Sequence, residues 1–349
     1  MLYLYIYLSS INTQVRKEDM GFWNIPPLVW GHLWCTNRFQ PLMIDKDPIQ
    51  LPLNGTWGTA RRLESHDIEQ KKQIRDFLRG FFGTPPTSPE LDIPEEHLVG
   101  PLDVLFYVSG TNKQIIGCIR YHPIGQLQSH PMYLVDCFCI HPQFRKQGLA
   151  DYLLTTLHCF ANKHGIPYAL FLKEGAPLPV WSIPLYTGSY VYRQVRPQIP
   201  THRLQHLTPE EGHCLLDTFC KIVPNTFVIR PTTTHNQSWR LYRESPHQMI
   251  LACVQDSFQW LREANGQRKK MGWFTAWLES PSMTDDCRAH AITEMADSME
   301  GQLEYVWANK AWIGSSNVAT EWKEDGAFHW YTYQWNTNLH LKSGYCIVH

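Results

Sequence analysis

The sequence has no surplus of charge of either sign. Its 349 residues carry 31 Lys and Arg against 32 Asp and Glu, so that the formal net charge is −1. Proteins that bind nucleic acids over a broad surface usually present a strongly basic face. We therefore expect no nucleic-acid partner, although local basic clusters occur.

The sequence also has no apolar run long enough to cross a bilayer. The most apolar stretch, MLYLYIYLSS at residues 1–10, is shorter than the roughly 20 residues that a transmembrane helix needs. It lacks the basic start of a signal peptide. We interpret residues 1–20 as an N-terminal arm, and we expect a monomer without stable membrane insertion.

The ten cysteines form no C-x-x-C pair and no cluster with the spacing of zinc ligands. This pattern is typical of reduced thiols rather than of a disulfide framework. We therefore expect a cytoplasmic protein without a metal. The chain is long enough for two domains with a large core, and most of its 14 Trp, 16 Tyr and 15 Phe residues should lie in that core.

Apolar periodicity predicts alternating strands and helices. A helix is indicated within residues 60–83 by apolar residues at roughly helical spacing: Leu63, Ile68, Ile74, Phe77 and Leu78. The segments VLFYVSG, QIIGCIRYHP, MYLVDCFCIHP and PYALFL have the composition of strands. LADYLLTTLHCFANKHG indicates a helix that ends at Gly165, a plausible C-cap.

A second copy of this pattern begins near Thr201. HRLQHLTPEEGHCLLDTFCKIV repeats the order of ARRLESHDIEQKKQIRDFLRGF: a short strand, a Thr or Ser cap, acidic residues, then an apolar-faced helix. MGWFTAWLES, QLEYVWAN and FHWYTYQW indicate later strands, with a helix over roughly 287–301. We therefore predict an α/β (α+β) fold of two fused units, residues 21–198 and 199–349, each a mixed sheet flanked by helices.

A basic turn separates strand from helix in VDCFCIHPQFRKQGLADYLL, residues 135–154. Arg145, Gly148 and Ala150 spell R-x-x-G-x-A there. Unpaired backbone N–H groups and the helix dipole favour a pyrophosphate at a helix N-terminus. The glycine lets a phosphate approach the backbone, and Arg145 and Lys146 add positive charge. A purely structural turn with a surface arginine would have the same letters, but the flanking strand and helix favour a binding site.

This turn resembles the coenzyme A turn of the GCN5-related acetyltransferase superfamily, and the whole chain resembles the glycylpeptide N-myristoyltransferase family, whose fold is two such units. The family's EINFLCVH followed by R-S-K-R-L-A is similar to VDCFCIH followed by residues 145–150. Its KFW, L-P-x-G-F-x-W, A-G-x-x-L-P-x-P and GDGNLQYYLYNW segments resemble GFW, LPLNGTW, EGAPLPVW and EDGAFHWYTYQW. The similar segments occur in the same order, from about Gly21 to His349.

The resemblance implies transfer of a myristoyl group from myristoyl-CoA to the N-terminal glycine amine of a protein or peptide. It implies an oxyanion hole made by the backbone amides of Cys137 and Phe138. It also implies a base supplied by the terminal carboxylate of His349, whose imidazole is an alternative base. The implied coenzyme contacts are Phe22, Trp23, Arg145, Lys146, Gln147, Gly148, Leu149 and Ala150, and the implied substrate contacts are Asp136, Lys173 and Tyr333.

Several positions depart from the family. An Asn and a Thr that help to hold the glycine amine are replaced by Asp136 and Lys173. We expect these two to form an ion pair across the pocket, which would either alter the choice of amine or plug the site. PLYTGSY lacks an expected histidine, and Gly148 replaces an arginine. The family's acidic loop is shortened, which leaves four candidates for contacts with a basic peptide: Glu90, Asp92, Glu95 and Glu96.

The departures keep two alternatives open. The R-x-x-G-x-A turn, in which Gly148 replaces the family's arginine, and the changed amine pocket favour an N-acetyltransferase that uses acetyl-CoA. Asp136, Lys173 and the missing histidine favour a non-catalytic relative that binds acyl-CoA or a protein partner.

Overall fold

The computed structural model describes residues 57–83, 89–166, 168–178, 184–197, 201–223, 226–314, 321–333 and 344–348. Within these ranges the helices are α1 (Ile68–Phe81), α2 (Glu95–Leu98), α3 (Leu149–His164), α4 (Pro209–Ile222) and α5 (Asp285–Asp297). Short 3-10 turns lie at Pro142–Phe144 and Lys310–Trp312. None of the helices in these ranges is long and apolar enough to cross a membrane.

The strands belong to one large sheet. They are β1 (Arg61–Arg62), β2 (Glu90–Leu91), β3 (Val104–Ser109), β4 (Ile115–Leu127), β5 (His130–Ile140), β6 (Ala169–Glu174), β7 (Tyr186–Gln194), β8 (Leu204–Leu207), β9 (Phe227–Arg230), β10 (Ser238–Ser245), β11 (Gln248–Arg262), β12 (Arg268–Glu279), β13 (Tyr305–Asn309), β14 (Lys323–Tyr333) and β15 (Tyr345–Cys346). The longest, β11, was not predicted, and neither were β7 and β10.

The strand order confirms the predicted fold of two fused units. The order is β1-β3-β4-β5-β6-β14-β7-β13-β12-β11-β10-β8, so that β1-β3-β4-β5-β6 on one side corresponds to β8-β10-β11-β12-β13 on the other. In both halves the fourth and fifth strands pair in parallel, β5 with β6 and β12 with β13. At the centre the halves exchange a strand, because β14 pairs with β6 while β7 pairs with β13.

Local sequence explains where the helices begin and end. The Thr208 side chain accepts a hydrogen bond from the Glu211 N–H while the Glu211 carboxylate accepts one from the Thr208 N–H, a reciprocal capping box that starts α4. Helix α3 ends before Gly165, whose φ of +65° places it in the left-handed region expected of a C-cap. The helix predicted near 287–301 is α5, which begins after the Thr284 cap.

The first helix differs from its prediction. Helix α1 starts after Asp67 without a side-chain cap, so the expected serine cap is not used. Ile74, Phe77 and Leu78 are buried as predicted, but Ile68 is 71 % exposed and Leu63 is buried ahead of the helix. The buried face of α1 therefore contains fewer residues than the apolar spacing predicted.

The sheet of the first half has two covered faces. Leu149, Leu153 and Leu157 of α3 pack on one face together with Val135 and Phe171; we call this the α3 face. On the other face α1 packs through Ile74 and Leu78. The α3 face and its opposite determine which side chains can meet in the site.

Candidate active site

The site lies where β5 and β6 separate. Their parallel pairing is confined to three registers, Tyr133 with Ala169, Leu134 with Leu170 and Val135 with Phe171. Both strands continue beyond these pairs, to Ile140 and Glu174. A cleft of about 1700 Å³ opens there, lined by both strands and by residues of the second half.

A β-bulge interrupts β5 at the edge of this cleft. Cys118 pairs with Cys139 and Arg120 with Asp136, so Cys137 and Phe138 together face the single residue Ile119. Cys137 has a φ of +49°, which is uncommon for a residue with a side chain. Bulges of this kind redirect the backbone, and both residues line the cleft.

The Cys137 side chain is not a nucleophile. Burial raises the pKa of its thiol well above the usual range, and the thiolate is the reactive form of cysteine. The Cys137 carbonyl accepts a hydrogen bond from the thiol of Cys118 at 3.2 Å. The backbone at the bulge, rather than the thiol, is therefore the chemically useful group.

The basic turn enters the same cleft. Arg145, Lys146, Gly148 and Ala150 line it. Lys146 and Gly148 have φ values of +60° and +85°, and α3 begins directly afterwards at Leu149. A Cβ built at Gly148 would have no atom within 4 Å, so the space before the helix N-terminus is open.

Two predicted residues of the turn have other positions. Leu149 is fully buried in the core beneath α3. Gln147 donates from its amide nitrogen to the Gln143 carbonyl at 2.7 Å, which fixes the turn. Neither belongs to the cleft lining.

The predicted ion pair between Asp136 and Lys173 is wrong. Asp136 accepts two hydrogen bonds from Arg120, 2.7 Å from Nε and 2.5 Å from Nη2. Lys173 Nζ donates to the backbone carbonyls of Ala176 and Glu174. Successive side chains of a strand point to opposite faces. Since Val135 pairs with Phe171, Lys173 follows the α3 face while Asp136 lies on the opposite one.

The remaining predicted residues fall away from the lining or outside the described ranges. Tyr333 is buried, with its ring 5.9 Å from that of Tyr121, and it does not reach the cleft. Phe22, Trp23 and His349 lie outside the described residues, and their roles stay predictions.

The segment before His349 runs close to the cleft. The Ile347 N–H donates to the Thr275 carbonyl at 2.9 Å. Tyr345 and Ile347 share a small cavity with Trp273 and Trp330, which also line the cleft.

The four acidic candidates are mostly engaged within the protein. Glu90 pairs with Arg262 and Arg268, and Asp92 pairs with Arg75 and Arg268. Glu95 lies 3.9 Å from Arg75. Of the four, Glu96 lines the cleft.

The sequence interpretation missed a polar cluster on the face of β4 and β5 opposite α3. Arg120 also donates to the carbonyls of His97 and Leu98, both at 2.9 Å. His122 Nδ1 lies 2.7 Å from Asp103 Oδ1. The signal was present in QIIGCIRYHP, where Arg120 and His122 alternate with apolar residues of a predicted strand.

Asp103 is held as a carboxylate. Burial favours its neutral form, but the hydrogen bond from His122, together with Arg120 and the Gly100 N–H, outweighs burial and keeps the pKa of Asp103 below its usual value. Within the described ranges, no group of three or more His, Cys, Asp or Glu residues could hold a metal ion.

Comparison with solved structures identifies the fold. One structure of Saccharomyces cerevisiae N-myristoyltransferase with bound myristoyl-CoA aligns over 92% of this chain and 94% of its own, with a TM-score of 0.65 and 13% identity. A second structure of that enzyme with myristoyl-CoA aligns over 85% and 82%, with a TM-score of 0.62 and 12% identity. A third, with myristoyl-CoA and inhibitors, gives a TM-score of 0.60 over 85% and 84% at 12% identity.

Comparison by sequence gives a narrower match. A search of curated proteins finds no significant relative. The family model described as acetyltransferase (GNAT) family matches residues 71–187, which span α1, the bulge in β5, the basic turn and α3. Residues 71–187 thus match the acetyltransferase (GNAT) family, within a chain whose fold is similar to that of the yeast N-myristoyltransferase structures.

Proposed function

We propose that this protein is an acyltransferase that moves a myristoyl group from myristoyl-CoA to the N-terminal glycine amine of a protein or peptide. The observation that carries the proposal is the convergence of the basic turn and the β5 bulge on one cleft. The first can hold the coenzyme's phosphates and the second its thioester. Both lie in the part of the chain that matches the acetyltransferase family.

In this proposal the coenzyme binds at the N-terminus of α3. The pyrophosphate lies against the turn, where Arg145 and Lys146 supply charge and Gly148 leaves space. Helix α3 has 16 residues, long enough for its aligned peptide dipoles to favour an anion at that end. The pantetheine chain then runs between the separated ends of β5 and β6.

The thioester carbonyl would lie at the bulge. Backbone amides of Cys137 and Phe138 stabilise the oxyanion, a contribution that mutagenesis elsewhere places at ~3 kcal/mol per donor. The acceptor amine bonds to the carbonyl carbon and gives one proton to a base, the carbon–sulfur bond breaks, and coenzyme A leaves as a thiolate. Because backbone supplies the donors, the change of the family's Phe-Leu to Cys-Phe does not remove them.

The length of the acyl chain is proposed from the comparisons with known proteins. The aligned yeast enzymes are N-myristoyltransferases with bound myristoyl-CoA, which supports a long chain. The match to the acetyltransferase family and the R-x-x-G-x-A turn favour the second candidate, acetyl transfer.

Calorimetric titration of the full-length protein with myristoyl-CoA and, separately, with acetyl-CoA distinguishes the two. We expect clearly tighter binding of myristoyl-CoA, because burial of each methylene contributes about 0.8 kcal/mol. Preference for acetyl-CoA would favour the second candidate. Binding of neither would refute acyl-CoA-dependent transfer.

A further inference from the structure

A histidine and a buried carboxylate form a pair that opens on the cleft. His122 is on β4, directly across from Leu134 of β5, and two residues from Arg120, which pairs with Asp136. Alternation along the strand places His122, Arg120 and Asp136 on one face, opposite α3. All three line the cleft.

The geometry orients the imidazole. Asp103 Oδ1 lies 2.7 Å from His122 Nδ1, and Asp103 Oδ2 accepts the Gly100 N–H at 2.5 Å. The Asp103 side chain is 4% exposed, whereas that of His122 is 23% exposed. A carboxylate on Nδ1 fixes the proton there and leaves Nε2 as a proton acceptor.

Three other ionisable groups of the cleft are less suited to accept a proton. Both oxygens of Asp136 are bound by Arg120, so that carboxylate is neutralised by a permanent cation. Asp256, across the cleft on β11, pairs with Lys270 at 2.8 Å. Lys173 belongs to the opposite face and would supply a proton rather than accept one.

We infer that His122 is the proton acceptor for the incoming amine, in place of the terminal carboxylate of His349 that the family resemblance implies, and that Asp103 is its positioning residue. The inference rests on the proposed acyl transfer. The amine nitrogen bonds to the thioester carbon, its proton passes to His122 Nε2, and the carbon–sulfur electron pair leaves with coenzyme A. An imidazole suits this step because, with Nδ1 protonated, its Nε2 can accept a proton.

Other ionisable groups face the same cleft and also respond to pH. They include Glu96 and His97 from α2, Asp151, Lys173 and Glu174 from α3 and β6, His235 and Asp256 from the second half, and Arg120 and Asp136 beside the pair. A pH profile of the wild-type protein alone therefore does not identify the base. Comparison of profiles between variants does.

The test measures kcat/KM against pH, with myristoyl-CoA and a glycine-initiated peptide, for wild type, His122→Ala and Asp103→Asn. We expect kcat/KM of His122→Ala to fall about 100-fold or more at neutral pH. Its pH profile should lack the acidic limb, and added imidazole should restore part of the activity. Asp103→Asn should lower kcat while KM and the affinity for myristoyl-CoA stay near their wild-type values, because the imidazole is no longer oriented by the carboxylate. His66→Gln, with a side chain that is 82% exposed, is the matched control and should match wild type.

The outcomes separate the inference from the proposed function. Wild-type turnover with an unchanged profile in His122→Ala overturns the role of His122 and leaves acyl transfer intact. Absence of turnover in wild type overturns both. Unaltered myristoyl-CoA affinity of the variants shows that they are folded, and lack of imidazole rescue in a folded, inactive variant contradicts a proton-acceptor role.

Discussion

Gly148 occupies the position where backbone, charge and open space meet. Its φ of +85° strains any other residue, and a side chain there would point into free volume at the helix N-terminus. We predict that Gly148→Glu weakens coenzyme A binding at least tenfold more than Gly148→Ala. Both variants carry the backbone strain, but only glutamate adds negative charge beside the pyrophosphate. Calorimetry with coenzyme A measures the difference, and equal affinities in the two variants would contradict the assignment of the turn.

Arg120 is buried and donates four hydrogen bonds. Arg120→Met would leave Asp136 and the carbonyls of His97 and Leu98 without their donor. We predict a loss of about 3 kcal/mol in the free energy of unfolding, since removing one partner of a buried pair leaves an uncompensated charge. Urea denaturation measures it.

The matched variant is Arg120→Met combined with Asp136→Asn. Because the second change removes the stranded charge, the double variant should recover part of the loss. A double variant as unstable as the sum of the two single variants would show that the pair is not coupled.

Single contiguous segments of the site were predictable from the sequence, whereas contacts between distant residues were not. The basic turn and the Cys137–Phe138 segment are each contiguous in sequence and could be proposed as parts of a site, and both line one cleft. The Asp136–Lys173 ion pair was wrong because its geometry depends on the register of β5 against β6, and a shift of one residue reverses the face of every side chain. The Asp103–His122 pair joins two different segments, which spacing alone does not bring together.

At the scale of elements, the two halves start their first helices differently. Helix α4 has the Thr208–Glu211 capping box, whereas α1 starts without a side-chain cap. We predict that Thr208→Ala lowers the free energy of unfolding by about 1 kcal/mol and that Thr208→Ser keeps most of it. Thermal or urea unfolding measures both, and an equal loss in the two variants would exclude the hydroxyl as the reason.

A pair of salt bridges joins α1 to β12 through Asp92, which follows β2: Asp92 pairs with Arg75 and with Arg268. Burial would raise the pKa of Asp92, but its hydrogen bonds with Arg75 and Arg268 outweigh burial and lower it. Since the folded-state pKa is depressed, this carboxylate stabilises the fold above its unfolded pKa of about 4. The contribution is lost as pH falls through the folded-state value.

We therefore predict that Asp92→Asn is less stable than wild type at pH 7 and that the gap narrows towards pH 3. Urea denaturation over this range measures the gap, with Asp76→Asn on the exposed side of α1 as the control. A gap that stays constant with pH would mean that Asp92 contributes through packing rather than through its charge.

Secondary structure was predictable where one element carried a clear period. The strands β3, β5 and β12 and the helices α3 and α4 follow apolar patterns that local physics explains. The strands β7 and β10 were missed because polar residues such as Arg193 and Arg243 interrupt them, and β11 was missed although its residues 249–254 form an apolar run. Their strand state comes from pairing with neighbours on both sides.

At the scale of the whole molecule, the exchange of β7 and β14 ties the halves together. Without β14, β6 and β7 of the first half have no strand between them. We predict that residues 57–197 expressed alone remain unfolded and that co-expression with residues 198–349 restores a folded complex. Amide hydrogen exchange of β6 measures this. Full protection in the isolated first half would show that the exchange is dispensable.

Acyl transfer at the cleft between β5 and β6 can be followed through both of its products. The full-length protein is incubated with myristoyl-CoA and a glycine-initiated peptide, and the acylated peptide is measured by mass spectrometry and free coenzyme A by thiol titration. We predict equal amounts of both products, acylation at the α-amine, and strongly reduced turnover in Gly148→Glu. Binding of myristoyl-CoA without any acylated peptide, under conditions where the coenzyme stays intact, would contradict it.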